Sequence, residues 1–173
     1  QKAADFIRFC DAFSIPVLSL VSATGFDTTV ANEKSVAREA ARLIHTFADA
    51  SAPKVTLLTG EAYGSAYLTM NSGHIGADLV YAWPTASVGM MPAENAVKII
   101  YNDEINASDD AQGLIAEKAA AYAALQTSPE SAAGRGYVDA VIEPESTRQH
   151  LIAAFEMLYS KRAVRPSKKH STL

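Results

Sequence analysis

The chain has 173 residues, of which 49% are hydrophobic and 20% charged, a composition typical of one compact domain with a full core. Its net charge of −4 argues against a nucleic-acid partner, because phosphate binding needs a concentrated positive face. The single cysteine, Cys10, excludes an internal disulfide, and no histidine pair has metal-ligand spacing, so we expect no metal. No apolar run reaches the roughly 20 residues that cross a bilayer, and we expect a cytoplasmic protein.

The first half of the chain alternates predicted helices and strands. Residues 1–13 form an amphipathic helix whose inner face carries Ala4, Ile7, either Phe9 or Cys10, and Phe13. Its start without a capping residue suggests a piece cut from a longer protein. "IPVLSLVS" is typical of a buried strand, and a helix follows from about Asn32 to Ala50. "KVTLLTG" predicts a second buried strand, which leads into a helix over Tyr63 to Met70.

The second half continues the alternation. "LVYAW" predicts a third strand, and residues 84–101 predict a short strand and then a helix with Ala96, Val97 and Ile100 inward. A long helix is expected over residues 109–126, capped by Ser108 or Asp109, before a final strand "GYVDAVIEP". Pro144 begins the last helix, and residues 163–173 form a basic tail. Units of roughly 30 residues predict an α/β fold with a parallel sheet in a single domain over 1–173.

The motif "YGSA", Tyr63 to Ala66, follows a buried strand and has three interpretations. Gly64, Ser65 and Ala66 are small either so that the helix packs tightly on the sheet or so that a ligand reaches main-chain N–H groups. In the second case Ser65 and Ala66 provide an oxyanion hole. In the third, Ser65 is a nucleophile with His74 as its base, although "YGSAY" lacks the second glycine of a nucleophile elbow.

Three segments together carry a resemblance: "AYGSAY", "GADLVYAWPTA" and "GYVDAVIEP". With them, almost the whole chain resembles the C-terminal domain of the carboxyltransferase (beta) subunit of biotin-dependent acyl-CoA carboxylases and decarboxylases, such as propionyl-CoA carboxylase. The resemblance implies a crotonase-like α/β fold, a spiral of ββα units. It also implies that this chain is the biotin-side half of the carboxyltransferase, without the N-terminal domain that binds acyl-CoA.

The resemblance further implies carboxyl transfer between carboxybiotin and a short-chain acyl-CoA, with no protein nucleophile. Gly64, Ser65 and Ala66 would bind biotin, and the N–H groups of Ser65 and Ala66 would stabilise the oxyanion. Implied partners are a biotin carboxyl carrier protein, a biotin carboxylase or membrane decarboxylase subunits, acyl-CoA, and further copies in a homo-oligomer. A decarboxylase subunit of a sodium pump and a serine hydrolase on the same fold are the alternatives.

The chain departs from the family pattern at a few positions. Ser65 stands where many relatives have glycine, and Leu68 stands where they have an acidic residue that tunes the choice of acyl chain. Leu68 is therefore the residue expected in the substrate pocket. Pro92 also replaces a glycine, and Lys34 and Ser35 stand in place of a glycine pair before Arg38.

Overall fold

A parallel sheet forms the centre of the protein. The computed structural model describes residues 1–27 and 29–163, and in these its strands are β1 (Val17–Ala23), β2 (Lys54–Tyr63), β3 (Leu79–Ala82), β4 (Ser87–Gly89) and β5 (Ala140–Val141). The strand order is β1-β2-β3-β5, and β4 pairs with the end of β2. All four pairings are parallel, which confirms the predicted α/β organisation.

Helices connect the strands except β3 and β4, which are joined by residues 83–86 and both pair with β2. In chain order they are α1 (Lys2–Ala12), α2 (Val30–Glu33), α3 (Val36–Asp49), α4 (Gly64–Thr69), α5 (Ala93–Ile100), α6 (Asn102–Ala107), α7 (Ala111–Tyr122), α8 (Pro129–Gly134) and α9 (Thr147–Leu158). Two 3₁₀ turns lie at Gly73–Ile75 and Pro144–Ser146, and a π-helical turn, Ala123–Thr127, extends α7.

The core lies around β2, whose residues 54–58 are all buried. One apolar cluster joins β2 to α4, β3 and α8 through Leu58, Tyr67, Val80 and Ala132. A second cluster packs α1 and α3 against the start of β1. Lys54 is buried at the first position of β2, and its Nζ donates to the carbonyl oxygens of Phe47 and Ala50 at the end of α3. The predicted buried strand is confirmed. Its first residue is a lysine whose side chain caps the C-terminal end of α3.

A pair of buried polar side chains fixes the C-terminal end of α4. The Thr56 hydroxyl on β2 donates to the Asn71 carbonyl over 2.6 Å, and Asn71 Nδ2 donates to the same hydroxyl over 3.0 Å. Asn71 has a left-handed backbone, with φ of 61°, so the chain turns sharply there. Because β2 leads directly into α4 at the other end, both ends of this short helix are held on one strand.

The structure corrects several expectations. Phe13 and Ile100 are 66% and 59% exposed rather than inward-facing. The helix predicted from Asn32 to Ala50 is interrupted at residues 34 and 35, and the final strand has two residues only. Asp110, not Ser108 or Asp109, caps α7, since its Oδ1 accepts from the Gly113 N–H over 2.9 Å. The basic tail lies, from residue 164 onward, outside the described residues.

Candidate functional site

The turn from β2 into α4 exposes main chain. Gly64 has φ of 58°, and a Cβ built on it would lie 3.0 Å from the Met90 carbonyl oxygen. Tyr63 is the N-cap residue and its side chain makes no capping hydrogen bond. The N–H groups of Ser65 and Ala66 lie in the first helical turn, where helix geometry provides no acceptor within the helix. The turn therefore carries two backbone donors that have no acceptor within the helix, and the residue before them has no side chain.

Part of this turn borders a cavity of about 490 Å³, whose lining does not include the predicted site residue Ala66. Gly64, Ser65 and Leu68 line it directly, so the structure brings three of the predicted site residues together. Ala66 is buried, at 4% exposure, while Ser65 is exposed and Leu68 is 37% exposed. Residues from four other segments complete the wall: His74, Val88, Gly89, Met90, Tyr122, Gln126, Thr127, Ala132, Arg135 and Tyr137, together with Tyr67 of α4 itself.

Tyr67 contributes a protonated phenol to this region. Burial, with a smaller contribution from the nearby Tyr137, raises the pKa of Tyr67 to about 12. Its hydroxyl is buried and has no hydrogen-bond partner among the described residues. A buried polar group without a partner is unfavourable by about 1–3 kcal/mol. Tyr67 is thus neutral at any physiological pH, and its phenol stabilises the fold through its ring rather than through its hydroxyl.

Ser65 and His74 line the same cavity but do not form a nucleophile–base pair. In the described part of the chain no hydrogen bond joins the Ser65 hydroxyl to the His74 imidazole. The imidazole instead packs edge-on against the Tyr137 ring, with 4.9 Å between ring centroids. A serine nucleophile needs its base within hydrogen-bond reach and a third group that orients the base. The geometry favours the backbone interpretation of "YGSA" over the nucleophilic one.

The sequence did not reveal the far wall of the cavity. Arg135 and Tyr137 follow α8, and Gln126 and Thr127 lie in the π-helical turn. Only one local signal marks this wall, the pair Gly134 and Gly136 around the arginine, and Gly136 indeed has φ of 79°. The proximity of this wall to Ser65 depends on the packing of α8 against the sheet, and no local sequence pattern encodes that packing.

A second, larger cavity of about 1060 Å³ lies between β1, β2 and α9. Its lining is mostly apolar and includes Leu18, Trp83 and Phe155, and none of the predicted site residues. Trp83 donates from Nε1 to the Thr147 hydroxyl over 2.9 Å. Across residues 1–27 and 29–163, no three His, Cys, Asp or Glu side chains cluster as a metal site, and no helix there is long and apolar enough to span a membrane.

Comparison with known proteins adds independent findings. The family model of the carboxyl transferase domain matches residues 1–173. The carboxyltransferase subunit of propionyl-CoA carboxylase from Haloferax mediterranei is 45% identical over the whole chain, which spans 34% of that protein. The alpha subunit of methylmalonyl-CoA decarboxylase from Propionigenium modestum is 43% identical, again over the whole chain and 34% of the relative.

Solved structures show the same fold. The transcarboxylase 12S hexamer, crystallised with methylmalonyl-CoA and methylmalonic acid, superposes with a TM-score of 0.94 at 42% identity, over 99% of this chain and 33% of that one. The predicted crotonase-like α/β fold is confirmed by this match. The chain spans about a third of the length of the relatives it matches.

Proposed function

Because this chain belongs to the carboxyl transferase domain family, we propose that it forms the biotin-side half of an enzyme that transfers a carboxyl group between carrier-bound biotin and a short-chain acyl-CoA. The observation that carries the proposal is that Gly64 and Ser65, at the start of α4, line a cavity in which no hydrogen-bonded nucleophile–base pair is found among the described residues. Such a surface can stabilise a developing oxyanion but cannot itself attack a substrate.

The cavity wall fits a group that must approach the backbone closely. At Gly64 a Cβ would meet a carbonyl oxygen at 3.0 Å, and at Gly89 it would meet the Thr127 methyl group at 3.1 Å. Neighbouring protein atoms therefore leave little room for a side chain at these two wall positions, which keeps the wall there to main chain. A volume of about 490 Å³ accommodates a bicyclic ring system of the size of biotin.

Biotin, when bound, supplies a ureido ring whose nitrogen carries the carboxyl group. The role of this chain is electrostatic: the N–H groups of Ser65 and Ala66 donate to an oxygen as negative charge develops on it. Removal of one such donor typically lowers kcat by about 10²- to 10³-fold. Since these donors are fixed by the helix, they need no reorganisation during the reaction.

Leu68 gives the cavity an apolar wall one turn after the donors. Its side chain lines the cavity and is 37% exposed, so it has room to contact a ligand. We assign it to the choice of acyl group, where an apolar contact favours a short alkyl chain such as that of propionyl-CoA. The reaction of a methylmalonyl-CoA decarboxylase uses the same transfer in the opposite direction, and this is the second candidate function, supported by the 43% identity to such a subunit.

The partners follow from the same proposal. The biotin arrives on a carrier protein, and a biotin carboxylase or a membrane decarboxylase assembly loads or unloads it. Because the relatives are about three times longer than this chain, we assign acyl-CoA binding to a further domain. Further copies of the subunit complete a homo-oligomer, as in the hexameric 12S enzyme. The present chain alone is expected to show no turnover of methylmalonyl-CoA above background, and addition of the acyl-CoA domain is expected to restore it.

The test of the site uses two neighbouring substitutions in the assembled carboxyltransferase. Ser65→Ala keeps the backbone N–H and is expected to retain activity within a few-fold. Ala66→Val keeps the N–H but adds a β-branched side chain beside it, and kcat is expected to fall about 10²-fold. Carboxyl transfer from biotin to acyl-CoA is the assay.

Ala66 is buried, so a matched control must separate crowding of the core from loss of function. Ala119→Val introduces the same change at a buried position of α7, outside the turn from β2 into α4. Both valine variants are expected to lose about 1–3 kcal/mol of stability by overpacking, but only Ala66→Val should lose activity. A folded Ser65→Ala variant that is more than a thousandfold slower, or labelling of Ser65 by a fluorophosphonate, would establish a nucleophilic serine and refute the proposal.

A further inference from the structure

Arg135 is the only permanently charged side chain among the described residues that line the cavity beside Ser65. The lining contains no Asp, Glu or Lys, although the whole chain carries a net charge of −4. Arg135 also lines a smaller cavity that does contain two carboxylates, Asp78 and Asp139, but no ion pair joins either of them to Arg135 among the described residues, and Asp78 pairs with Lys161. On its side facing Ser65, an arginine in an acid-free wall creates a local positive potential that attracts anions. The cavity thus differs in sign from the protein around it.

The guanidinium of Arg135 is held in place without being neutralised. Nη1 donates to the Gln126 carbonyl and Nη2 to the Leu125 carbonyl, each over 3.4 Å, and Nη2 also donates to the Gln126 side-chain amide oxygen. Arginine has five N–H donors, so these three bonds leave two for another acceptor. The side chain is therefore oriented but not saturated.

Carbonyl oxygens at the end of a helix compensate only part of a positive charge, since they correspond together to about half an elementary charge. Three other arginines, Arg8, Arg38 and Arg42, have carboxylate partners, whereas no ion pair is found for Arg148 and Arg162 in the described residues. For Arg135 no carboxylate lies within ion-pair distance in residues 1–27 and 29–163. The missing counter-charge is what an anionic ligand would supply.

The fold places Arg135 where it bridges two parts of the wall. It is the C-cap residue of α8, and the following Gly136 has φ of 79°, which turns the chain toward Tyr137. Its side chain extends back to the π-helical turn Ala123–Thr127, whose last two residues also line the cavity. Arg135 and the donors at Ser65 therefore border one space from different segments.

We propose that Arg135 recognises the carboxylate of the carboxylated substrate in this cavity and so favours carboxylated over uncarboxylated acyl-CoA. The inference rests on the proposed function, which brings a carboxyl group to this site. Arginine is the side chain best suited to this role, because its planar donors match a carboxylate. Arg135 is exposed to solvent, which screens the interaction, so its contribution is expected to be about tenfold in affinity.

The test compares two ligands that differ by one carboxylate, methylmalonyl-CoA and propionyl-CoA. Their dissociation constants are measured by isothermal titration with the assembled protein, in wild type, Arg135→Gln and Arg148→Gln. Arg148 lies on α9 and lines the other cavity, so its variant controls for loss of one positive charge. We expect Arg135→Gln to weaken methylmalonyl-CoA binding about tenfold, to leave propionyl-CoA binding within twofold, and Arg148→Gln to change neither.

Two outcomes overturn the inference. Equal weakening of both ligands by Arg135→Gln would show that the arginine contacts a part they share, such as the CoA phosphates. Unchanged binding of methylmalonyl-CoA, or a wild type that does not prefer it over propionyl-CoA, would show that no carboxylate is recognised.

A third ligand, malonate alone, makes the inference separable from the proposed function. Weaker malonate binding in Arg135→Gln than in Arg148→Gln supports a carboxylate site. If the wild-type protein at the same time shows no carboxyl transfer, the proposed function is refuted but the carboxylate site is not. Carboxyl transfer by the wild type with identical malonate binding in both variants would refute the carboxylate site only. Raising the salt concentration from 0.05 to about 0.3 M should narrow the difference between the variants, since charge interactions at an exposed arginine are screened.

Discussion

Gly64 provides the sharpest test of the proposed site geometry, through the substitution Gly64→Ala. Two separate penalties are expected. Residue 64 has φ of 58°. A residue with a Cβ in this left-handed conformation destabilises the folded protein by about 1–2 kcal/mol. The added Cβ would also lie 3.0 Å from the Met90 carbonyl oxygen, and relief of such a contact by backbone movement adds about 1–2 kcal/mol. The total loss in the free energy of unfolding should be about 2–4 kcal/mol.

Two other glycines separate these penalties. Gly136 has φ of 79° but no atom within 4 Å of an added Cβ, so Gly136→Ala should show the conformational penalty alone, about 1–2 kcal/mol. Gly134 ends α8 with neither a positive φ nor a nearby atom. Gly134→Ala should be neutral or stabilising by up to about 1 kcal/mol.

Urea unfolding of the three variants gives the order Gly64→Ala, Gly136→Ala, Gly134→Ala from the least to the most stable. Each kcal/mol corresponds to a shift of about 2–4 °C in Tm for a chain of this size. Carboxyl transfer should decrease in Gly64→Ala beyond what the loss of folded protein explains, because the backbone must move at the donors. A Gly64→Ala variant as stable as Gly134→Ala would show that the turn at residue 64 is not constrained as described.

Three further substitutions test the surroundings of the site. Tyr67→Phe removes a buried hydroxyl without a partner, so stability at pH 7 should be unchanged or slightly higher; a clear loss would indicate a partner for the hydroxyl. The pKa of Tyr67 is raised to about 12 in the folded state, so the folded protein holds this proton more tightly than the unfolded chain. As the pH rises from about 10 to about 12, the free energy of unfolding of the wild type should therefore fall by about 2–3 kcal/mol relative to that of Tyr67→Phe, which urea unfolding across this pH range measures. Thr56→Val leaves the buried Asn71 amide without its acceptor and should reduce stability by about 1–3 kcal/mol in urea, while a neutral result would contradict the role of this pair in holding α4. Asp110→Ala removes the cap of α7 and should lower stability by about 1 kcal/mol, with Asp109→Ala as the control expected to change little.

The sequence predicted the sheet better than the helix ends. Strands at 15–22 and 54–60 were recognised because apolar and β-branched residues in short runs mark buried parallel strands. The cap of α7 was assigned to Ser108 or Asp109 because three candidate caps stand in a row, and only the fold selects the one whose carboxylate reaches the Gly113 N–H. The helical period predicts Phe13 on the buried face of α1. The helix ends at Ala12, however, and the side chain of Phe13, its C-cap residue, is exposed.

The candidate site was predicted on one side only. Gly64, Ser65 and Leu68 are close in sequence, and small residues after a strand are a recognisable local pattern. Arg135 and Tyr137 come from a distant segment, and nothing in their own neighbourhood indicates which cavity they border. Their position depends on α8, whose Ala132 packs into the same cluster as Tyr67 of α4. Tertiary packing, rather than local propensity, thus determines the far wall.

The cavity is shaped by the absence of side chains at some positions and by one charge at another. At Gly64 and Gly89, both of which line the cavity, a single added methyl group would approach neighbouring protein atoms at about 3 Å, so the protein packs tightly against these two residues. The proposed donors are neutral backbone N–H groups next to Gly64, and α4 fixes their direction. Arg135 adds a positive charge, held by carbonyl oxygens of the π-helical turn that also bears Thr127, the residue against Gly89. The proposed oxyanion donors and the proposed carboxylate-binding arginine thus border one cavity and depend on neighbouring packed segments, and we expect a change at either glycine to alter both.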